Sequence, residues 1–383
     1  MPRYAMSHTY LTCGLCDSRD APADALWCPQ CNGPLDVAYR SLPRGLEARD
    51  GLPGVWRWWD RMPLHEEGSL ISLGEGNTPC LHLEQAGAGL GLRRLYAKVE
   101  YANPTGSFKD RGTAVMLSMV REMGFSEAVD DSSGNAGASL GAYASRGGIG
   151  AAVFVPAGAS PFKISQIGFY GADVRPVEGP REGVTSAARE YVAERGAFYA
   201  SHNWSPYFIQ GMKSFAYEAV REAPGPIDHV VVPAGNGSLV IGPARGFAEL
   251  VLEGAVPRMP RFHAVQSRSC MPVVAAWRGQ PWTVDDLRPT VAGGIAVSTP
   301  PRGAQTVETV RSTGGTAVAV EEESIVRWQR ALARDEGLFM EPTSAAAFAG
   351  LESLVGQGVV GPDDVVVVPV TGFGLKDRVP SSS

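Results

Sequence analysis

From about residue 76 onward, short apolar runs alternate with longer Ala/Leu-rich stretches. Leu95-Tyr96-Ala97-Lys98-Val99, Ala151-Ala152-Val153-Phe154-Val155, Val230-Val231-Val232-Pro233 and Val365-Val366-Val367-Val368 are nearly continuous in apolar residues. Runs of that kind, with little polar alternation, predict strands buried on both faces. The intervening stretches 112–123, 137–146, 182–195, 239–253, 323–336 and 344–355 carry helical spacing and predict helices. Strands that alternate with helices give an α/β fold, with parallel sheets under helical cover. Ligands in such folds sit beyond the carboxyl ends of strands, so the loops that follow the strands are the places to look for chemistry. No internal repeat is evident.

The bulk figures narrow this picture. The chain has 383 residues, 44% hydrophobic and 19% charged; at roughly 100–200 residues per domain, two α/β domains and a small appendage fit. The formal net charge is −6, with no Lys/Arg block. A nucleic-acid or anionic-membrane surface needs a basic face, so neither partner is expected. Met1–His8 lacks an apolar core of signal-peptide type, and no apolar run approaches the ~20 residues that span a bilayer. A cytoplasmic protein is expected. Trp56, Trp58 and Trp59, in a Pro/Gly-containing connecting segment, read as packing residues.

Cysteine usage adds a metal site. Cys13-Gly14-Leu15-Cys16 and Cys28-Pro29-Gln30-Cys31 form two CxxC pairs with eleven residues between them. Two such knuckles place four thiolates around one tetrahedral ion. A pair of disulfides is the alternative, disfavoured by a reducing compartment. No open-site ligand accompanies Cys13, Cys16, Cys28 and Cys31, so the ion, Zn²⁺ or its like, is expected to be structural. A nucleic-acid-binding ribbon is a weaker reading, because acidic residues outnumber arginines over residues 1–40.

Four loops carry candidate chemistry. Asn103-Pro104-Thr105-Gly106-Ser107-Phe108-Lys109-Asp110-Arg111-Gly112 leads from a strand into a helix. A desolvated lysine at a positive helix N-terminus has a lowered pKa and becomes an amine nucleophile for a carbonyl cofactor. Alone, it also reads as an ordinary surface lysine. Ser132-Ser133-Gly134-Asn135-Ala136 opens a small-residue helix, as either a carboxylate seat or a plain cap. Pro233-Ala234-Gly235-Asn236-Gly237-Ser238-Leu239 follows a Val strand, and its consecutive N–H groups suit a phosphate dianion, with a simple turn as the alternative. Val370-Thr371-Gly372-Phe373-Gly374 follows the last strand and presents a hydroxyl.

Taken in this order, the four loops resemble the pyridoxal phosphate (PLP) enzymes of the tryptophan-synthase-β fold type, and among them the threonine synthases. The resemblance covers roughly residues 72–378. It opens at Leu73-Gly74-Glu75-Gly76-Asn77-Thr78-Pro79 and runs through the lysine motif to Glu341-Pro342-Thr343-Ser344-Ala345-Ala346-Ala347 and Thr371-Gly372-Phe373-Gly374-Leu375-Lys376-Asp377. It implies two open, mostly parallel twisted sheets with helices on both faces, plus the N-terminal ribbon. The expected division is 1–40 as ribbon, 41–110 with 205–383 as a larger PLP-binding domain, and 111–204 as a smaller inserted one. By this similarity Lys109 bonds covalently to the cofactor, and Asn135 hydrogen-bonds its ring oxygen. Ser133, Gly134 and Ala136 receive the substrate carboxylate. Gly235, Asn236, Gly237, Ser238 and Leu239 hold the cofactor phosphate, and Thr371 faces the pyridine nitrogen. Relatives also imply a homodimer.

The departures fall where substrate is chosen. In threonine synthases the segment before a Gly-x-Lys helix start carries a Ser or Asn and an arginine for the phosphate of O-phosphohomoserine. Here Ser201-His202-Asn203-Trp204-Ser205-Pro206-Tyr207-Phe208 offers Asn203 but places Phe208 at the arginine position. Lys163, Lys213 and Arg302 are the candidate replacement cations. Gly294–Arg302 looks more like the matching loop of serine/threonine dehydratases, and Phe373 stands where threonine synthases often have histidine. The expected function is PLP-dependent elimination or replacement on a small amino acid, threonine-synthase-like. Serine/threonine ammonia-lyase action, β-replacement in specialised metabolism, and a non-catalytic ligand-binding role are the alternatives.

Overall fold

The computed structural model describes residues 8–41, 45–159, 161–179 and 181–377. Met1–Ser7, most of the segment read as lacking a signal peptide, and residue 378 at the end of the resemblance lie outside them. The chain folds into two compact units, Met1–Gly76 with Asn103–Met212, and Asn77–Ala102 with Lys213–Ser383.

The first unit holds two sheets. In the ribbon, Thr9–Cys13 pairs antiparallel with both Arg19–Ala21 and Leu35–Tyr39. Its two turns use Asp17 and Asn32 at positive φ, which short polar side chains tolerate. The second sheet is parallel, in the order Asp173–Val177, Gly150–Pro156, Glu127–Asp130, Phe198–Tyr199. The apolar run at 151–155 lies in Gly150–Pro156, where Ala152, Val153, Phe154 and Val155 are buried. The helices Lys109–Glu122 and Asn135–Gly147 pack against each other. Trp56 and Trp58 are buried, and Trp56 Nε1 donates to Ile71 O at 2.9 Å. The tryptophans therefore pack.

The second unit is a six-stranded sheet in the order Ala317–Val320, Arg261–Ser267, His229–Pro233, Val365–Pro369, Arg94–Lys98, Cys80–His82. All neighbours run parallel except the edge pair Cys80–His82 and Arg94–Lys98. The valines of 365–368 are fully buried, and Val366 and Val368 join a core with Val231, Val265, Ala345–Ala347, Phe348 and Leu351. Burial on both faces is what their unbroken apolar run encodes.

The unit boundaries depart from the expected division at 41–76, 103–110 and 205–212, all of which belong with the ribbon and the four-stranded sheet. At 103–110 and 205–212 the physical reason is a close helix pair. Pro206–Met212 lies on Lys109–Glu122, and glycines stand where the two helices meet. A Cβ on Gly211 would come within 1.9 Å of Arg111 O, and one on Gly112 within 2.6 Å of the Phe208 ring.

Candidate active site

In the first unit, Lys109 is the first residue of a 14-residue helix. It is half-buried, and its Nζ lies 4.7 Å from the centre of the Phe108 ring and 5.6 Å from that of Phe208. An ammonium over an aromatic face is held there by the ring quadrupole. Asp110 fixes the loop. It is fully buried and accepts from Thr105 N, Thr105 Oγ1 and Ser139 Oγ, each at 2.7 Å. Ser139 sits on the helix that Asn135 begins, so one carboxylate ties the lysine loop to the second loop. Ser107 Oγ is buried and bonds to no group among the described residues.

The second loop starts its helix at Asn135, with Gly134 extended before it. Ser133, Gly134 and Asn135 are half-buried and Ala136 is buried. A Cβ on Gly137 would come within 2.1 Å of Ser132 O, so only glycine lets the loop fold back on the helix. Beneath this loop lies a pair that the sequence did not announce. His202 Nδ1 is 3.3 Å from Asp130 Oδ2, and both residues are buried. Burial pushes the Asp130 carboxyl up to about 6, although the Asp131 N–H and the charges of Arg181 and Lys109 oppose it. Burial also holds His202 well below the ordinary imidazole range, and the Lys109 charge adds to that. Lys109 thus shares its surroundings with a neutral imidazole and a carboxyl that titrates close to neutrality. Asn203 is half-buried in the turn Ser201–Ser205. Phe208 is fully buried.

In the second unit, Gly237 caps the helix Ser238–Leu252 at φ +88°. A Cβ there would lie 1.9 Å from Thr306 Oγ1, and one on Gly235 would lie 3.1 Å from Gly294 O. The loop is therefore bare backbone pressed against the 294–306 stretch. The backbone N–H groups of Gly235, Asn236, Gly237, Ser238 and Leu239 meet no acceptor among the described residues, and the buried Asn236 Oδ1 has no protein partner among them. Arg302 precedes the helix Gly303–Ser312, is 1% exposed, and donates from Nη1 to Gln305 Oε1 at 2.8 Å. Lys213 is also buried, and its Nζ is paired to Glu249 Oε1 at 2.7 Å.

Thr371 is buried beside Ser344. Ser344 Oγ accepts from Thr371 N at 2.9 Å and Gly372 N at 3.1 Å, and lies 2.8 Å from Thr371 Oγ1. Two acceptances use both lone pairs of a hydroxyl, so Ser344 donates to Thr371 and leaves the Thr371 hydrogen to donate elsewhere.

Residues 71–372 match the family described as "Pyridoxal-phosphate dependent enzyme". The chain belongs to that family. Among its relatives, the threonine synthase of Methanocaldococcus jannaschii is 34% identical over 360 residues, which cover 91% of this chain and 88% of that one. The threonine synthase of Methanosarcina acetivorans is 32% identical, with 96% of this chain and 92% of that one covered. The processed threonine deaminase isoform 2 of Solanum lycopersicum has the same fold, with a TM-score of 0.71 at 19% identity over 92% of this chain and 95% of that one. Maize serine racemase does too, with a TM-score of 0.68 at 22% identity over 78% and 88%. This PLP-dependent enzyme is threonine-synthase-like in sequence.

The residues fit the cofactor. A glycine cradle with unpaired N–H groups suits a phosphate, a hydroxyl with a free hydrogen suits a pyridine nitrogen, and a half-buried amine suits an aldehyde.

In the ribbon, the four sulfurs of Cys13, Cys16, Cys28 and Cys31 lie within 4.8 Å of one another. Leu15 N and Gln30 N each donate to the first sulfur of their knuckle at 3.4 Å. Cys13 and Cys28 are buried, whereas Cys16 and Cys31 are exposed. No helix among the described residues is long and apolar enough to cross a membrane.

Proposed function

We propose that the chain converts O-phosphohomoserine and water to threonine and phosphate, with Lys109 as the amine that carries the cofactor. When bound, the cofactor supplies an electron sink for carbanions adjacent to the amino group. The observation that carries the reading is Lys109 at the mouth of a long helix, fixed through Asp110 and cushioned by two aromatic rings, in a chain one-third identical to threonine synthases. The freed amine is suited to remove the substrate α-proton.

Asn135 orients the cofactor's ring oxygen. Ser133, Gly134 and Ala136 bind the substrate carboxylate at a helix N-terminus. Gly235, Asn236, Gly237, Ser238 and Leu239 bind the cofactor phosphate. Thr371 would donate its free hydrogen to the cofactor's pyridine nitrogen. Asn203 and Arg302 contact the substrate side chain and Phe208 shapes its pocket. Cys13, Cys16, Cys28 and Cys31 hold one structural Zn²⁺, since four thiolates leave no open position. The enzyme works as a cytoplasmic homodimer with no nucleic-acid partner.

A second reading, ammonia release from serine or threonine, is favoured by one observation. Phe208 offers no cation, and Lys213 is already committed to Glu249. Loss of a bidentate cation for a dianion is costly. The test is phosphate release from O-phosphohomoserine measured beside keto-acid release from serine and threonine. Phosphate release with threonine formed supports the first reading. Keto acid without phosphate release supports the second.

A further inference from the structure

The ribbon is attached to the helix that lies on Lys109. Three residues, Trp204, Tyr207 and Gln210, carry the attachment. The Trp204 ring meets Trp27 edge-on at 6.0 Å, and Trp27 is the neighbour of Cys28. Tyr207 OH donates to Ala23 O at 2.7 Å. Tyr39 OH, on the last ribbon strand, lies 2.8 Å from both Gln210 Oε1 and Arg61 O and shares its hydrogen between them. Residues three apart fall on one face of a helix, so 207 and 210 share the ribbon-facing side, and Trp204 joins them from the turn just before the helix.

The same short helix presents Phe208 and Gly211 to the helix of Lys109. There, the missing Cβ atoms of Gly112 and Gly211 allow backbone and ring to touch. Packing with no slack transmits displacement, because a dense interior repacks rather than compresses. Phe208 is the ring over which the Lys109 amine lies.

We infer that Pro206–Met212 is a positioning element through which the metal ribbon sets the apolar bed of the Lys109 amine, with Tyr207 and Gln210 as its positioning residues. The inference rests on the reading of Lys109 as the cofactor lysine. The ribbon then does more than stabilise its own fold: an ordered knuckle at Cys28 holds Trp27, Ala23 and Tyr39 where they fix Phe208. Because Cys16 and Cys31 are exposed, a chelator can reach the ion while the rest of the chain stays folded.

The experiment uses the holoenzyme and Tyr207→Phe, which keeps the buried ring and removes only the hydroxyl. One hydrogen bond corresponds to a change of about two- to tenfold. Tyr207→Phe should weaken cofactor binding or raise KM by that factor, and amide exchange should speed up in 109–122 as well as in 206–212. Stripping the ribbon with a chelator should give the same two signatures more strongly, together with a changed absorbance of the lysine-bound cofactor, and added Zn²⁺ should reverse them. If Tyr207→Phe folds poorly, Gln210→Ala serves in the same assays. A stripped enzyme whose ribbon amides exchange quickly, while 109–122, the cofactor absorbance and KM stay as they were, overturns the inference. Loss of cofactor absorbance in Lys109→Ala shows separately that the underlying reading holds; unchanged absorbance there would defeat that reading rather than this one.

Discussion

The lysine loop at 103–112 and the glycine loop at 233–239 both end a strand and open a helix, yet they are built on opposite principles. The first works through side chains. Lys109 carries the amine, Asp110 accepts three hydrogen bonds, and Thr105 and Ser139 supply them. The second works through their absence. A Cβ on Gly237 would collide with Thr306 and one on Gly235 would crowd Gly294 O, which leaves the N–H groups bare. The difference shows that a reactive atom needs a named side chain in a controlled field, whereas an anion seat needs bare backbone at a positive helix end. One loop should be disabled by removing atoms, the other by adding one.

The largest effect is expected at Lys109. Lys109→Ala should lower turnover by at least about a thousandfold, in keeping with the loss of a proton-transferring amine, while the unfolding midpoint stays near wild type. Steady-state kinetics and a denaturant titration check both halves. A large stability loss with turnover retained would mean that the lysine is structural.

Gly237→Ala comes next. It adds a methyl at φ +88° against Thr306, in a conformation that costs an L-residue about 1–2 kcal/mol. Cofactor affinity should fall roughly ten- to a hundredfold, with turnover recovered at saturating cofactor. Titration of the apoenzyme measures this. Unaltered affinity would remove the phosphate from this loop.

The smallest effect sharpens the contrast from below. At the other end of the strand that leads into the glycine loop, His229 Nδ1 lies 2.9 Å from His263 Nε2, and His229 Nε2 lies 3.1 Å from Asp364. Burial lowers both imidazoles, His263 to about 3. A folded-state pKa below the unfolded value means that the neutral rings stabilise the fold above about pH 6.5, and that this contribution drains away as pH falls toward 3. The slope is at most about 1.4 kcal/mol per pH unit for each imidazole. Denaturant midpoints between pH 7 and 4 should fall for wild type and fall less for His263→Asn. Equal slopes would show that the pair is not the titrating element.

The parts that the sequence made legible are those with local causes. The helices read at 112–123, 137–146 and 239–253 appear as Lys109–Glu122, Asn135–Gly147 and Ser238–Leu252. Each starts on its candidate residue, because turn-forming residues and helix periodicity both act over a few positions. The four cysteines were legible for the same reason, as two short knuckles. What escaped depends on distant partners. Asp130 meets His202 across 72 positions, and nothing near either residue marks it as paired. The helix Pro206–Met212 is buried at every position, so it has no polar face from which a period could be read. The expected domain boundaries missed it because its allegiance is decided by two glycines that let it reach Lys109–Glu122. Phe208 stood out in the sequence as a missing arginine. In the structure its ring is the bed of the amine, a role that only the packed helix pair reveals.

The central claim is that one amine, at position 109, carries the cofactor. Borohydride reduction of the holoenzyme followed by peptide mass mapping tests it most directly, since reduction fixes the cofactor to whichever lysine holds it. The expected result is a pyridoxyl mass addition on the peptide that contains Lys109 and on no other. An addition on a different lysine, or none on an enzyme that still turns over, would contradict the account.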